Sequence, residues 1–312
     1  MAMPSAVAIL TYQRRPVLEK MLDSLVKNVP STTPVAIFDD CSLRDNTVEW
    51  LKTFPRIDSS GPKNLCEEIE CESFTISYNG RNIEVYSASS NLGVAANSNR
   101  ALRWFMTSTI GYDHLFLAND DLIFLGDAVE AYAQAHRDLD IGLFCFNNLK
   151  DDDHQWTTIS ARGRKLKVFR KMTGALMSLT RSVIETIGYF DVRFGKFGEE
   201  HCDYTNRARF KGFISILGRH YVCLDIDLKN QVLDHQHEAE STVTGIDKET
   251  CDGIASSVMA GKLAEYKTGF ITHPFKIRHV QWVNRHAGFD SGVKPKDLLG
   301  YAEARPNIST FD

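Results

Sequence analysis

The 312-residue sequence has no apolar run that approaches the ~20 residues needed to span a membrane as a helix. Its first residues also lack the basic cluster and the long apolar segment of a secretory signal. Seven cysteines are scattered without the paired spacing of a disulfide or zinc framework. We therefore expect a cytoplasmic protein with free thiols and no transmembrane segment.

A strong charge of one sign is also missing. The net charge is −4 and the isoelectric point is about 6.2, which gives no general attraction to nucleic acid or anionic membranes. A polyanion would need a local patch, and the segment 162–171 (RGRKLKVFRK) has six basic residues in ten. One interpretation is an exposed edge or loop. The other is a clamp for a diphosphate or an anionic acceptor, conceivably nucleic acid.

Short apolar runs alternate with amphipathic segments in the first half of the chain. "AVAILTY" (6–12) and "PVAIFDD" (34–40) are typical of buried strands, and each precedes a segment with helical spacing. This alternation predicts an α/β fold with a mostly parallel, Rossmann-like sheet flanked by helices. Residues 56–80 interrupt the pattern, and Asn79–Gly80 predicts a hairpin turn, so we expect a surface insertion there.

Acidic residues follow two of the predicted strands at their carboxyl ends, where ligands bind in open parallel sheets. Asp39 and Asp40 end one strand, and "NDD" (119–121) lies between two apolar runs. No glycine-rich phosphate loop follows either strand, so a diphosphate would need a divalent cation, which carboxylates bind well. Asp39 and Asp40 fit a turn or helix cap equally well. "DDDHQ" (151–155) matches a D-x-D motif better, but its polar context favours a solvated loop.

Five stretches between about residues 6 and 218 resemble, in order, the motifs of GT-A-fold glycosyltransferases of the family-2 type. They are "AILTYQRRPVLEKMLDSL", "VAIFDDCSLRDNT", "SSNLGVAANSNRAL", "LANDDLIF" and "TGALMSLTRSVIETIGYFDVRFGKFGEEHCDYTNRARFKGF". The resemblance implies metal-assisted, inverting transfer of a sugar from a nucleoside-diphosphate sugar to a hydroxyl acceptor. It favours a UDP-sugar as donor and Mn²⁺ or Mg²⁺ as cofactor. The acceptor stays open: a glycan, a lipid-linked saccharide or a modified nucleic-acid base.

The resemblance also implies a donor-binding set. Its members are Thr11, Tyr12, Arg14, Asp39, Asn91, Gly93, Asn99 and Asp120. Asp39 would bind the nucleotide base, and Asp120 the ribose or diphosphate. Asp121 would hold the metal, with either His235 or His237 as a further ligand. The chain departs from the family pattern at Asn119, which replaces the first acid of the motif, and at Ser98, where many members carry an arginine.

On the acceptor side, Glu200–His201 replaces the usual Glu–Asp pair, which moves the implied catalytic base to Glu200, with Glu199 as reserve. A base is needed because inversion requires a carboxylate that takes the proton of the attacking hydroxyl. Asp203 lies one turn further, where it would pair with Arg207 or touch the acceptor. The competing interpretation is simple helix-dipole stabilisation of acids at an N-terminus, by ~0.3–1 kcal/mol.

We expect one GT-A-like catalytic domain over residues 1–240 and a C-terminal helical or irregular extension over 241–312. Within that domain, residues 1–125 would bind the nucleotide sugar and residues 126–240 the acceptor. Two alternatives remain. A nucleotidyltransferase would usually carry a glycine-rich signature after the first strand, which "TYQRRP" does not provide. A non-catalytic nucleotide-sugar-binding module would bind the donor without turnover.

Overall fold

The computed structural model describes residues 3–57, 71–146, 155–169, 172, 174–228, 231–236 and 248–266. Its centre is an eight-stranded sheet. In spatial order the strands are β3 (Arg56–Ile57), β4 (Cys71–Tyr78), β5 (Arg81–Ala88), β2 (Val35–Asp39), β1 (Ser5–Thr11), β6 (His114–Asn119), β11 (Leu176–Thr180) and β8 (Leu143–Phe146). Six of these strands run in one direction, and only β4 and β11 oppose them. The predicted α/β class with a mostly parallel sheet is confirmed.

The middle of the sheet is apolar because it is covered on both faces. In β1 the residues from Ala6 to Leu10 are buried, and in β2 the whole strand is buried. Val7 pairs with Val35 in parallel register, and the polar residues Thr11 and Asp39 end up side by side. Continuous apolar runs of this kind are typical of inner parallel strands. The polar chemistry is therefore concentrated at their carboxyl ends.

Among the described residues, seven helices accompany the sheet: α1 (Arg15–Asn28), α2 (Thr47–Leu51), α3 (Val94–Thr107), α4 (Ala128–Leu139), α5 (Arg181–Ile187), α6 (Glu200–Phe210) and α7 (Lys248–Glu265). A short 3-10 helix spans Val192–Phe194. In α1 the side chains at helical spacing, Leu18, Met21, Leu22 and Leu25, are buried against the core. Pro16 occupies the first turn, where its missing N–H costs nothing.

Residues 71–80 differ from the expected surface insertion. The hairpin turn at Asn79–Gly80 is present, with both residues at positive φ, but β4 pairs with β5 and is part of the main sheet. Ile76 and Tyr78 on β4 are buried, so this strand extends the core. Residues 58–70 of the segment lie outside the described residues.

The second half of the chain continues the same sheet. Strands β8 and β11 come from this half, and their side chains belong to the same apolar core as those of β1. A smaller sheet contains β14 (Cys223–Asp225), β10 (Arg164–Phe169) and β9 (Gln155–Ala161). Two short ladders join β12 (Ser215–Ile216) to β13 (Arg219–His220), and β15 (Leu233–His235) to β7 (Leu122–Phe124).

The C-terminal region contributes one described helix to this body. Helix α7 contacts α6 and the 3-10 helix, and its Ala255 and Met259 pack against Phe194. The proposed extension, residues 241–312, therefore contains a helix that is packed onto the domain. Within the described part of the chain, no helix is both long enough and apolar enough to cross a membrane.

Candidate active site

A cleft opens where β1 and β6 end. Its wall is formed by residues at the ends of β1, β2 and β6, in the loops before α1 and α6, and at the start of α3: Leu10, Thr11, Tyr12, Arg14, Asp40, Val94, Asn97, Asn119, Asp120 and Phe197. This is the carboxyl edge of the sheet, where the loops that follow parallel strands converge. The predicted donor residues Thr11, Tyr12, Arg14 and Asp120 all line it.

The acid pair of "NDD" is buried at this edge and carries several polar contacts. The Thr11 hydroxyl donates a hydrogen bond of 2.7 Å to Asp120 Oδ2. Arg14 Nη2 lies 2.6 Å from Asp120 Oδ1 and 2.7 Å from Asp121 Oδ2. One guanidinium nitrogen therefore bridges both carboxylates. Asp121 Oδ1 is also buried and has no hydrogen-bond partner among the described residues.

The ladder between β7 and β15 brings a histidine to the same acids. His235 pairs with Leu122, the residue directly after Asp121. This register places His235 Nε2 at 3.4 Å from Asp121 Oδ2. The next residue fixes the arrangement, because the Gln236 N–H donates to Asp121 O at 2.7 Å.

The two carboxyl groups are electrostatically distinct. Burial raises the pKa of Asp120 and outweighs the opposing effect of Arg14. Burial would also raise the pKa of Asp121, but the hydrogen bond from His235 and the charge of Arg14 together bring that pKa below its ordinary value. Asp121 is therefore the stronger anion of the pair and the better ligand for a cation.

The residues present fit a divalent cation that shares its ligands with a diphosphate. Asp121 offers a buried, unpartnered carboxylate oxygen, and His235 supplies an imidazole beside it. No third His, Cys, Asp or Glu joins them into a complete ligand set within the described ranges. Such partial protein coordination is usual for Mg²⁺ at phosphate sites, while an imidazole ligand favours Mn²⁺.

Asp39 lies at the end of β2 and is fully buried. Its Oδ2 accepts hydrogen bonds from the backbone N–H groups of Cys41 and Ser42, and from the Ser87 hydroxyl. Its Oδ1 has no hydrogen-bond partner among the described residues. Asp39 Oδ2 thus stabilises the turn after β2, which agrees with the interpretation of Asp39 as a turn former. Asp39 Oδ1 is free to accept a hydrogen bond from a ligand.

Asp40 connects the loop before α3 to the end of β2 through hydrogen bonds. Its two oxygens accept hydrogen bonds from the N–H groups of Leu92 (2.7 Å) and Gly93 (2.9 Å). Gly93 has a φ of +90°, and a Cβ there would lie 2.4 Å from Gly195 O, so a side chain is excluded. Lys196 Nζ donates to Asn91 O at 2.5 Å. The predicted donor loop 91–93 is therefore joined to the loop that precedes α6.

Glu200 begins α6 just after this loop. Its Oε1 lies 2.8 Å from His201 Nδ1, whereas its Oε2 is buried with no hydrogen-bond partner among the described residues. Burial would raise the pKa of Glu200, but the hydrogen bond and charge of His201 bring it below the ordinary value. The imidazole packs on the Gly174 backbone, where a Cβ would lie 2.8 Å from His201 Cε1. The carboxylate thus has one held and one available oxygen, as a general base requires.

The other two predicted catalytic residues lie in different settings. Glu199 precedes α6 with a φ of +56°, a backbone conformation that is uncommon for a residue other than glycine. Asp203 is fully buried and accepts a hydrogen bond of 3.0 Å from Arg207 Nε. Its second oxygen lies 3.3 Å from Lys262 Nζ on α7. Asp203 therefore fixes α6 from inside, because both oxygens face protein cations.

The sequence matches the model of a known enzyme family, "Glycosyl transferase family 2", over residues 6–190, more than half of the chain. The chain belongs to this family. No match was found among curated proteins. The matched region contains the cleft and its acid pair, and ends ten residues before Glu200.

Solved structures with the same fold include TarS from S. aureus. One crystal structure of TarS aligns with a TM-score of 0.52 and 14% identity, over 98% of this chain and 50% of that chain. The TarS fragment 1–349 gives a TM-score of 0.50 and 14% identity, over 95% of this chain and 77% of that chain. The mannosyltransferase PcManGT from Pyrobaculum calidifontis, solved with GDP-Man and Mn²⁺, gives 0.48 and 15% identity, over 97% and 74%. The TarS alignments support the GT-A fold of this family-2 chain.

Two predicted site residues of this family-2 chain, Asn99 and Asp203, make buried hydrogen bonds within the protein. Asn99 was expected to bind the donor, but its side-chain amide donates to Phe190 O at 3.0 Å and its oxygen accepts from Phe190 N–H at 2.7 Å. Like Asp203, it is buried. His237 lies outside the described residues.

Six residues of the cleft wall were not among the predicted site residues: Leu10, Asp40, Val94, Asn97, Asn119 and Phe197. Asp40 was weighed both as a strand-end ligand and as a turn former, Asn97 lies one turn into α3, and Phe197 comes from the loop before α6. Asn97 Nδ2 donates to Phe38 O at 2.9 Å, which ties α3 to the end of β2. Of Asp40, Asn97 and Phe197, only Asp40 could have been predicted from sequence, because it is an acid at the end of a predicted strand. Asparagine and phenylalanine are common at structural positions.

The basic segment forms the turn and second strand of the β9–β10 hairpin. Arg164 Nη2 pairs with Asp138 at 2.5 Å, and Arg162 donates to the backbone oxygen of the same residue at 3.0 Å. Leu166 and Val168 are buried. Part of the positive charge is therefore balanced locally. Residues 170–171, and 151–154 of the competing acidic segment, lie outside the described residues.

Proposed function

We propose that this family-2 chain transfers a sugar from a nucleoside-diphosphate sugar to a hydroxyl acceptor, with metal assistance and inversion at the anomeric carbon. The observation that carries the proposal is the incompletely paired acid couple Asp120–Asp121 beside His235, at the edge of an open cleft. Buried carboxylate oxygens are nearly always hydrogen-bonded, so an unpartnered one beside a cleft points to a ligand.

The donor would lie along the carboxyl edge of the sheet. The unpartnered Asp39 Oδ1 could accept an N–H of the nucleotide base, which fits the uracil of a UDP-sugar. Asp120 would hold the ribose or diphosphate. Asp121 and His235 would hold Mn²⁺ or Mg²⁺, which when bound neutralises the charge of the leaving diphosphate.

Glu200 is the proposed general base. Its Oε2 would take the proton of the acceptor hydroxyl while that oxygen forms a bond to the anomeric carbon. The bond between the anomeric carbon and the diphosphate oxygen breaks, and the nucleoside diphosphate leaves with the electron pair. Because attack and departure occur on opposite faces, the configuration inverts. The lowered pKa keeps Glu200 ionised at neutral pH.

The acceptor is proposed only as a hydroxyl compound, with a glycan or lipid-linked saccharide ahead of a nucleic-acid base. Nucleic acid is disfavoured because Asp138 balances Arg164 within the basic segment and the net charge is negative.

The test measures the release of UDP, GDP or CMP from the corresponding nucleotide sugars, with and without Mn²⁺, in the wild type and in Glu200→Gln. Loss of a general base costs about 10²–10⁴-fold. Glu185→Gln, an exposed glutamate on α5, is the matched control and should keep full turnover. Donor binding without any turnover in the wild type would instead favour a non-catalytic binding module.

A further inference from the structure

Arg14 occupies an unusual position for a donor-binding residue. Its Nη2 contacts both acids of the pair, at 2.6 and 2.7 Å, and the three side chains are only 14%, 5% and 12% exposed. The contact is thus a largely buried bridge of one cation between two carboxylates. Removing one partner from such an arrangement leaves uncompensated buried charge.

The same contact covers the place where a metal would bind. Asp121 Oδ2 faces His235 Nε2 at 3.4 Å and Arg14 Nη2 at 2.7 Å. Two ligands that lie about 2.1 Å from one cation at a right angle are about 3 Å apart, so the Asp121–His235 pair has the right separation. A guanidinium is always protonated, and a second cation at the same oxygen would be repelled. A cation held between Asp121 Oδ2 and His235 Nε2 therefore requires the Arg14 side chain to move.

The cleft offers this side chain another partner. Arg14 lines the cleft wall, and a guanidinium binds phosphate oxygens in a two-pronged geometry. The arginine that many family members are expected to carry near the diphosphate is Ser98 here, which is fully buried. Only the side chain needs to turn, because Arg14 O accepts hydrogen bonds from the N–H groups of Val17 and Leu18 at the start of α1.

We propose that Arg14 is an internal counter-cation of the acid pair, which gives way to the divalent cation and moves to the donor diphosphate. The metal and the nucleoside diphosphate then bind cooperatively through this one side chain. In the absence of nucleotide, Arg14 competes with the metal. With the diphosphate present, Arg14 has a new anionic partner and the competition ends. By linkage, the metal must strengthen nucleotide binding by the same factor. This inference rests on the proposed function.

The experiment measures Mn²⁺ binding by electron paramagnetic resonance, with and without UDP, so that catalytic turnover is not needed. In the wild type, UDP should tighten Mn²⁺ binding at least about tenfold, a coupling of ordinary size. Arg14→Met should tighten Mn²⁺ binding without UDP by a similar factor and reduce the effect of UDP to about twofold or less. Arg219→Met, which removes an exposed arginine on β13, is the matched control and should behave as the wild type.

Two further comparisons distinguish failure of the Arg14 proposal from failure of the proposed function. The Arg14→Met, Asp121→Asn double variant should lose the tightened binding. If Mn²⁺ binding requires Asp121 but is equal in the wild type and Arg14→Met, the Arg14 proposal is overturned and the proposed function stands. If Mn²⁺ binding is independent of Asp121 in every variant, both are overturned. Should Arg14→Met fail to fold, reciprocal titrations of UDP and Mn²⁺ on the wild type decide: absence of coupling overturns the proposal.

Discussion

Two clusters of buried charge lie in this molecule, and they are built differently. At the sheet edge, Asp120 and Asp121 share one arginine, and an oxygen of Asp121 is left without a hydrogen-bond partner among the described residues. Between α6 and α7, Lys262 contacts Asp191, Asp203 and Glu265.

The second cluster is balanced by further cations. Arg193 pairs with both Asp191 and Glu265, each at 2.5 Å, and Arg207 pairs with Asp203 at 3.0 Å. Burial would raise the pKa of Asp191, but Arg193 and Lys262 hold it far below its ordinary value. The comparison teaches that buried acids do not by themselves mark a site. The acid pair that lies beside the cleft is the candidate site, and the cluster balanced by Arg193, Arg207 and Lys262 stabilises the fold.

The largest expected effect is a loss of activity when the acid pair Asp120–Asp121 is changed, without a loss of stability. Asp121→Asn should reduce metal-dependent transfer by about 10³–10⁴-fold, since a bound cation contributes several kcal/mol to stabilising the transition state. Stability should change little, because the amide relieves like-charge repulsion with Asp120. Nucleoside-diphosphate release and urea denaturation measure the two quantities, with the exposed Asp252→Asn as control. Full activity in Asp121→Asn would falsify the assignment of the metal site.

The opposite pattern is expected in the balanced cluster. Lys262→Met removes the ammonium group that contacts the carboxylates of Asp191, Asp203 and Glu265. Because this leaves buried negative charge without its cation, we expect the free energy of unfolding to fall by about 3–5 kcal/mol. Urea denaturation provides the measurement. Lys52→Met, which breaks surface pairs with Glu49 and Glu72, should cost at most about 1 kcal/mol. Equal losses in the two variants would contradict the structural role of the buried cluster.

A smaller effect tests whether Asn99 stabilises the fold through Phe190 or binds the donor. Asn99→Ala leaves the N–H and the carbonyl of Phe190 without their buried partners, which should cost about 1–3 kcal/mol of stability. The Michaelis constant for the donor should stay within a factor of about two of the wild type. Asn82→Ala, at an exposed position of β5, is the control. A selective rise in the Michaelis constant at unchanged stability would return Asn99 to the donor site.

The smallest effect concerns a third buried cluster, which carries no charge. Ser178 Oγ lies 2.8 Å from Nε2 of both His114 and His136. Burial lowers the pKa of His136 to about 4. Because the unfolded chain then takes up the proton first, the contribution of His136 to stability is complete above pH ~6.5 and decreases toward pH 4. NMR titration of the His136 ring should find it neutral at pH 6, and a midpoint near 6.5 would refute this.

Much of this arrangement could be predicted from sequence, because strand-end acids follow from the apolar runs that precede them. Asp39, Asp120 and Asp121 were found in this way, and the family motifs added Arg14. The pairing of Asp203 with Arg207 also follows from their spacing of one helical turn. The contact of Asn99 with Phe190 could not be predicted, since helical spacing alone does not show which residue lies opposite. Which face points inward is decided by partners distant in sequence.

The choice of histidine shows the same limit. Sequence placed His235 and His237 in one set without distinguishing them, and the pairing of β15 with β7 places His235 beside Asp121. Lys262 carried no signal, because a lysine on an amphipathic helix is ordinarily exposed. Its burial depends on acids contributed by the 3-10 helix region and α6.

The segment 231–236 has a consequence for the synthesis of the protein. The Gln236 side-chain amide donates to Val17 O at 3.0 Å, across 219 residues of sequence. The main parallel strands can pair long before this segment emerges from the ribosome, but the proposed metal-binding corner cannot close. At 5–20 residues per second, roughly 10 s separate the synthesis of Asp121 from that of His235. The nascent chain can therefore pair the parallel strands of its main sheet well before the proposed site is complete.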